Sequence, residues 1–189
     1  EDKKEAIFDE TGKMISPDWF DWIKRDGLLT GVSEYYIAGK DEKEAIFDKD
    51  GNQISDWFDE ILKYGLVEGQ SKYYIAVKDG KEAIFDVDGN MITKEWFDDI
   101  EPDGLVKGES DYFIAKKDGK VAIFHKNGNR ITEWFDKIGI DGLVKGKSDY
   151  YIATKDGKDA IFDETGNQIS PGWFDNIFLD GLVRGESRY

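Results

Sequence analysis

Residues 112–124 read YFIAKKDGKVAIF, and this stretch decides the fold. Two runs of β-branched, aromatic and small apolar residues flank the dipeptide Asp118-Gly119. Asp-Gly between such runs predicts a type I′ hairpin turn, because both central residues of that turn need φ > 0. In the run that ends at Phe124, neighbouring residues point to opposite faces and both faces are apolar. The sequence therefore predicts hairpins that are buried on both faces and stacked against other sheets.

The same pattern recurs in five units, which makes the chain a repeat protein. Successive units lie 38 or 39 residues apart. The triplet Ala-Ile-Phe begins at Ala6, Ala45, Ala83, Ala122 and Ala160, and the pair Trp-Phe begins at Trp19, Trp57, Trp96, Trp134 and Trp173. Only the spacing from this Ala to this Trp varies, between 12 and 13 residues. We expect a single repeat domain over residues 1–189, with units at approximately 1–39, 40–77, 78–116, 117–154 and 155–189.

Each unit is predicted to be a four-stranded antiparallel meander in an all-β fold. The four runs of one unit are 105–106, 112–115, 121–124 and 130–132, with a second turn at Asn127-Gly128. Repeated four-stranded sheets are typical of a β-propeller, so we expect a five-bladed ring. An open stacked β-repeat array or solenoid is the alternative. After the fourth run, Ser16-Pro17-Asp18 favours a short helical turn over an extended segment.

Residues 80–92, GKEAIFDVDGNMI, resemble the bacterial WG (KWG) repeat family. Units of that family read approximately Gly-Lys-Trp-Gly-aromatic-Ile-Asp-x-x-Gly-Lys-x-Ile, and Glu82-Ala83 stands here in place of the Trp-Gly pair. The match recurs in all five units. The resemblance implies a repetitive β protein of the kind found in multi-repeat bacterial proteins, with no general biochemical activity and no catalytic residue to transfer.

The composition excludes several classes of function. The net charge of −15 argues against nucleic acid and against anionic membranes, which both require a basic surface. The chain has no cysteine and one histidine, so thiolate and histidine-rich metal centres are excluded. No apolar run approaches the roughly 20 residues of a membrane span, so no membrane insertion is expected. The compartment stays open, and a surface or secreted bacterial context is compatible with the sequence.

Neither a metal site nor an active site is expected. Asp48-x-Asp50-Gly51-Asn52 looks like the first half of a calcium loop, but no bidentate Glu follows in register. A β-turn capped by its own aspartate explains the motif more simply. His125 takes the place of that first aspartate in the fourth unit and is interpreted as a solvated side chain. Carboxylates recur in every unit without one asymmetric pair, so we expect no enzyme activity and no cofactor.

The segments between the Trp-Phe-Asp-x-Ile block and Gly-Leu differ most among the units, and they predict a binding rim. The residues of this rim lie in or near these segments and are Trp22, Lys24, Arg25, Tyr64, Ile140, Phe178 and Leu179. Aromatic and arginine side chains are enriched at interaction hot spots. We therefore expect a non-enzymatic scaffold for protein–protein interaction, a module or fragment of a larger bacterial protein, with a cationic or mixed-charge protein partner.

Two other functions remain open. The first is a glycan-binding lectin with one pocket per repeat, and the second is a structural spacer in a fibre or adhesin. A lectin needs exposed indoles, whereas an aromatic side chain in every repeat is more often shared core. We expect the tryptophan row to be core. The exposure of Trp57, Trp96 and Trp134 discriminates between these interpretations.

Overall fold

The computed structural model describes residues 3–188, so Glu1, Asp2 and Tyr189 of the expected repeat domain lie outside the described residues. The protein is all-β, with 37% of its residues in strands or isolated β-bridges and no α-helix in the described part. A short 3₁₀ helix spans Gly27–Thr30. Within residues 3–188, no helix is long and apolar enough to cross a membrane. The chain divides into two compact units, residues 1–91 and 92–189.

The first unit contains two three-stranded antiparallel sheets, in which a short strand lies beside a long hairpin. The sheets are ordered β1-β2-β3 and β4-β5-β6. The strands are β1 (Trp22–Ile23), β2 (Tyr35–Lys40), β3 (Lys43–Asp48), β4 (Glu60–Ile61), β5 (Tyr73–Lys78) and β6 (Lys81–Asp86). Ahead of β1, the chain pairs through isolated bridges between Glu5 and Phe20 and between Phe8 and Met14.

The second unit repeats this arrangement, with sheets ordered β7-β8-β9 and β10-β11-β12. The strands are β7 (Asp99–Ile100), β8 (Tyr112–Lys117), β9 (Lys120–His125), β10 (Lys137–Ile138), β11 (Tyr150–Lys155) and β12 (Lys158–Asp163). The prediction of a repeated antiparallel β protein is confirmed.

The long hairpins close through two-residue turns with positive φ at both positions, as the sequence predicted. Asp118 and Gly119 have φ values of 52° and 76°. In the β2–β3 hairpin the same positions are held by Asp41 and Glu42, at 52° and 61°. That turn forms without glycine, between strands that pair over six residues each.

The core of each sheet lies in its long hairpin, which is buried on both faces. Tyr36 of β2 lies opposite Phe47 of β3, and their rings stack with centroids 5.5 Å apart. The next residue, Ile37, points to the other face, and neither Tyr36 nor Ile37 has exposed surface. Tyr151 and Phe162 form the equivalent stack in the second unit, at 5.4 Å.

Each sheet has three strands rather than the predicted four, and the first predicted strand is a turn. Leu105 and Val106 follow Gly104, where φ is 84°. A Cβ atom on Gly104 would lie 2.3 Å from the carbonyl oxygen of Tyr112. This close backbone approach buries the Leu-Val pair, and the first strand comes instead from the isoleucine of the Trp-Phe-Asp-x-Ile block.

The fourth predicted run is reduced to isolated bridges. Phe124 of β9 bridges to Arg130. Beyond that bridge, the hydroxyl of Thr132 accepts the N–H of Ile123 at 3.0 Å, so a side chain takes the place of a ladder hydrogen bond. The predicted helical turn at residues 16–18 is also wrong, because these residues form bends.

Neighbouring repeats within each unit meet where a glycine leaves room for a backbone carbonyl. A Cβ atom on Gly51 would lie 2.3 Å from the carbonyl oxygen of Ile15, and one on Gly128 would lie 2.3 Å from that of Ile92. Both glycines have positive φ, 85° and 75°. The Asp-x-x-Gly turn of one repeat is thereby fixed against the preceding repeat.

A second contact joins repeats through the serine of the Ser-x-Tyr motif. The Ser33 hydroxyl donates to the carbonyl oxygen of Val67 at 2.7 Å, and Ser110 donates to that of Val144 at 2.6 Å. Each bond links the start of a long strand to the buried turn of the next repeat.

Candidate functional site

The predicted rim residues are divided between the two units. Trp22, Lys24, Arg25 and Tyr64 belong to the first unit, and Ile140, Phe178 and Leu179 belong to the second. Most of these side chains make packing or ionic contacts within their own unit.

Lys24 holds two repeats together. Its ammonium lies 2.8 Å from a carboxylate oxygen of Glu44 and donates to the carbonyl oxygen of Ile61 at 2.9 Å. The same Glu44 oxygen accepts the N–H of Ile61 at 2.7 Å. The Glu44 side chain is only 10% exposed, so this ion pair is partly desolvated and rigid.

Trp22 covers a glycine on the neighbouring strand. In the β1–β2 register it lies opposite Gly39, and a Cβ atom there would be 2.0 Å from Cε2 of the indole. The ammonium of Lys24 lies 5.8 Å from the centroid of the same ring. The indole fills the space that a side chain at residue 39 would occupy.

The other rim residues differ in exposure. Tyr64 is half-buried, and Ile140 packs against the core of the β11–β12 hairpin. A Cβ atom on Gly139 would lie 3.6 Å from Leu179. Arg25 is exposed, and Phe178 is 80% exposed. These last two are therefore the rim side chains that a partner could reach most directly.

The tryptophans of the Trp-Phe pairs are not the buried core that we expected, because in the first four repeats the adjacent phenylalanine occupies it, whereas Phe174 of the fifth is 43% exposed. Phe20 is 1% exposed whereas Trp19 is 50% exposed, and Trp57 is 36% exposed. Trp96, Trp134 and Trp173 are partly buried. Adjacent residues in extended chain face opposite sides, so only one of the pair can enter the core.

Pockets open beside the turns where repeats meet. In the first unit a pocket of 320 Å³ lies between residues 53–56 and the turn at residues 88–89. In the second unit a pocket of 520 Å³ lies between residues 93–95 and the turn at residues 128–130, with Trp134 at its wall. The two pockets use equivalent positions of successive repeats. They form a candidate ligand site that recurs along the chain.

The pocket of the second unit combines an indole with amide and cationic groups. Trp134 stands edge-on to Phe124, with centroids 6.0 Å apart. The ammonium of Lys94 donates to Oδ1 of Asn129 at 2.8 Å. The guanidinium of Arg130 lies 5.5 Å from the centroid of Trp134, within cation–π range.

The pocket of the first unit is lined by a buried tyrosine and by carboxylates. The Tyr74 hydroxyl is buried and has no hydrogen-bond partner among the described residues. Burial, and then the negative charges of Asp56 and Asp86, raise the pKa of Tyr74 well above its ordinary value. The phenol therefore stays protonated at neutral pH and can donate to a ligand or a water molecule.

An asymmetric carboxyl pair, which the sequence analysis did not single out, occurs at residues 101 and 103. Burial, and then the hydrogen bond and charge of Asp103, raise the pKa of Glu101. Burial opposes ionisation of Asp103, but Lys107, 3.0 Å away, lowers the pKa of that carboxyl overall. The sequence does distinguish this pair, because Glu101 stands at a position that lysine, leucine, glycine or phenylalanine occupies in the other repeats.

The calcium-like motif is a hydrogen-bonded turn. Oδ1 of Asp48 accepts the N–H groups of Asp50 at 2.9 Å and Asn52 at 2.8 Å, and its Oδ2 accepts the side-chain amide of Asn52. His125 holds the equivalent place and accepts the N–H of Asn127 at 3.4 Å. Among residues 3–188 no three metal-ligating side chains are grouped.

The chain matches no protein-family model and no curated protein. The resemblance to WG repeats therefore stays a prediction.

Among solved structures, the chain is similar to Hsv2 of Kluyveromyces lactis and to its variants. The form with loop 6CD replaced by a Gly-Ser linker gives a TM-score of 0.42 at 13% identity, over 72% of this chain and 48% of that one. Hsv2 itself gives 0.38 at 13% identity, over 91% and 60%. The chain thus spans about half the length of the first of these structures. Scores and identities this low carry neither fold nor function to this chain, whose all-β assignment rests on its own strands.

Proposed function

We propose that this chain is a non-enzymatic repeat scaffold that binds saccharides in the pockets between its repeats. The observation that carries the proposal is the pocket of the second unit, where the partly exposed indole of Trp134 lies beside hydroxyl, amide and charged groups. A pyranose ring has an apolar C–H face that packs on an aromatic ring, and hydroxyls that bind amides and carboxylates. Binding sites of this type combine an aromatic wall with a few placed polar groups.

The dimensions of the pockets support this ligand class. The volumes of 320 and 520 Å³ lie in the range of roughly 300–1,000 Å³ that is typical of small-molecule sites.

Calorimetric titration with neutral oligosaccharides, alongside a glycan array, tests the proposal. Trp134→Ala should weaken saccharide binding at least about tenfold, because it removes the aromatic wall of one pocket. Phe178→Ala is the control, since it removes an aromatic side chain that lies outside both pockets and is 80% exposed. Equal binding by the two variants would refute a role for the indole, and circular dichroism would verify their folds.

Binding of a protein partner is the second candidate, favoured by the exposure of Phe178. This side chain is 80% exposed, and aromatic side chains are enriched in the core of protein–protein interfaces. A cationic or mixed-charge partner would suit the net charge of −15. Phe178→Ala should then abolish capture of the partner while Trp134→Ala preserves it. The opposite result would favour the saccharide site.

For the arrangement of the repeats, we propose the closed five-bladed ring, with the open array as its alternative. The recurrence of a glycine-to-carbonyl contact between neighbouring repeats within each unit supports a regular stacking of the repeats there. Small-angle scattering separates the two arrangements. A compact ring should have a radius of gyration near about 16 Å, as expected for a compact chain of 189 residues, and an open array a clearly larger one.

A further inference from the structure

Two cationic side chains enter the pocket of the second unit without a carboxylate partner in the described part of the chain. Lys94 donates to the neutral amide oxygen of Asn129 at 2.8 Å. Arg130 lies over the indole of Trp134, 5.5 Å from its centroid. On a chain with a net charge of −15, two unpaired positive groups at one pocket form a local reversal of charge.

The one carboxylate among the residues that line this pocket, Glu95, is paired with a lysine that is not part of the lining. The ion pair is with Lys117. The equivalent pocket of the first unit has the opposite character, because it is lined by Asp56 and Asp88 and no cation. The positive charge is therefore a property of one pocket and is not imposed by the repeat.

A buried hydroxyl at the same pocket has no partner. Thr93 is 1% exposed, lines the pocket, and its Oγ1 makes no hydrogen bond within residues 3–188. The equivalent hydroxyl of Thr132 accepts the N–H of Ile123 at 3.0 Å and donates to the carbonyl oxygen of Glu133 at 2.8 Å. An unsatisfied buried hydroxyl calls for a bound group, since leaving it unpaired costs free energy.

We propose that this pocket binds an acidic saccharide, a pyranose that carries a carboxylate. The carboxylate lies between Lys94 and Arg130, because a guanidinium and an ammonium both form charge-assisted hydrogen bonds with it. The sugar ring packs against Trp134, and the hydroxyl of Thr93 and the amide of Asn129 bind sugar hydroxyls. This inference rests on the proposed saccharide function and adds the chemical class of the ligand.

Titration with trigalacturonate and with its methyl ester tests the inference, because the two sugars differ in charge but not in ring structure. The acid should bind at least about tenfold more tightly than the ester at low salt, and the difference should shrink as salt screens the charges. Arg130→Gln should remove most of this difference, and the ratio of acid to ester affinity is compared between the variant and the parent. Glutamine already stands in this position at Gln53 and Gln168, so the fold accommodates it.

The matched control is Lys158→Gln, which removes one positive charge from an exposed side chain outside the pocket. It should leave the preference for the acid intact. Equal affinity for acid and ester, with both lost in Trp134→Ala, would overturn the acidic ligand while leaving the saccharide function standing. Failure of both sugars to bind at millimolar concentration would also overturn the inference. The titrations with neutral oligosaccharides would then test the proposed saccharide function on their own.

Discussion

Replacing Gly39 by valine should destabilise the first sheet, and adding Trp22→Glu to the same chain should restore it. These residues are cross-strand partners in β1 and β2. The equivalent partners in the second sheet are Glu60 and Val77, so the double variant reproduces a pair that the protein already uses. The change therefore tests whether Trp22 is a binding residue or a partner of the glycine.

The expected magnitude follows from the distance between the two positions. A Cβ atom on Gly39 would lie 2.0 Å from Cε2 and 2.3 Å from Cζ2 of Trp22. Carbon atoms in good contact are about 3.5–4.0 Å apart, so the indole must move. Overpacking of this kind costs about 1–3 kcal/mol. With glutamate at residue 22 the clash disappears, and we expect the double variant to lie within about 1 kcal/mol of the parent.

Urea unfolding followed by far-ultraviolet circular dichroism measures all four proteins of this cycle, since fluorescence would report the loss of Trp22 itself. A coupling free energy of about 1–2 kcal/mol between the two substitutions is expected for residues in contact. The reverse exchange, Glu60→Trp with Val77→Gly, is the control in the second sheet. If the two single effects simply add, Trp22 does not depend on Gly39, and the reasoning about their contact is refuted.

Three further outcomes follow from individual contacts. Burial raises the pKa of Tyr36 to about 12, above the 10.0 of a free tyrosine, so its contribution to stability is present below pH 10 and is lost as the pH rises toward 12. Urea unfolding midpoints at pH 8 and pH 11 check this decrease, and an unchanged midpoint would contradict it. The pKa of Glu101 is raised by burial and by Asp103, so the contribution of this carboxyl to the free energy of unfolding is present at low pH and is lost as the pH rises through the raised pKa. Glu101→Gln should therefore increase stability at pH 7 and have little effect at pH 4. Glu44→Ala leaves the Lys24 ammonium and the Ile61 N–H without their carboxylate and should cost about 1.5–3 kcal/mol in urea unfolding, whereas a loss below about 0.5 kcal/mol would show that water replaces the carboxylate.

The hairpins could be predicted from sequence because their signals are local. Asp-Gly predicts the turn, and the continuous apolar runs on either side of it predict strands that are buried on both faces. The short strands could not be identified in this way. Glu60–Ile61 spans two residues, one of them charged, and only its pairing with β5 makes it a strand. Leu105-Val106 has the stronger local β pattern, but the positive φ of Gly104 turns the chain there.

The candidate site was harder to predict because its groups come from different repeats. Lys94 was visible as the extra residue of the longer Ala-to-Trp spacing, but Arg130 lies 36 positions away and meets the same pocket only through the fold. The side chain of Trp22 was interpreted as a binding group because it is an aromatic residue outside the repeat pattern, in or near the segments that differ most among the units. The sequence also held a signal against that interpretation, because Gly39 stands where other repeats have valine, lysine or threonine. Glycine is the small cross-strand partner that a side chain as large as Trp22 requires.

The isolated bridge made by the phenylalanine of the Trp-Phe pair follows the Ala-to-Trp segment, whose length varies by one residue. This bridge bears on how such a chain changes its length over evolutionary time. Phe20 lies 15 residues after its bridge partner Glu5, whereas Phe58 lies 14 after Glu44. In both repeats the short strand begins two residues after the phenylalanine. The extra residue is therefore absorbed inside its own loop, and every repeat restarts its hydrogen-bond register. A gene segment that encodes a repeat of either length can consequently be duplicated, lost or exchanged without shifting the pairing of the repeats that follow it.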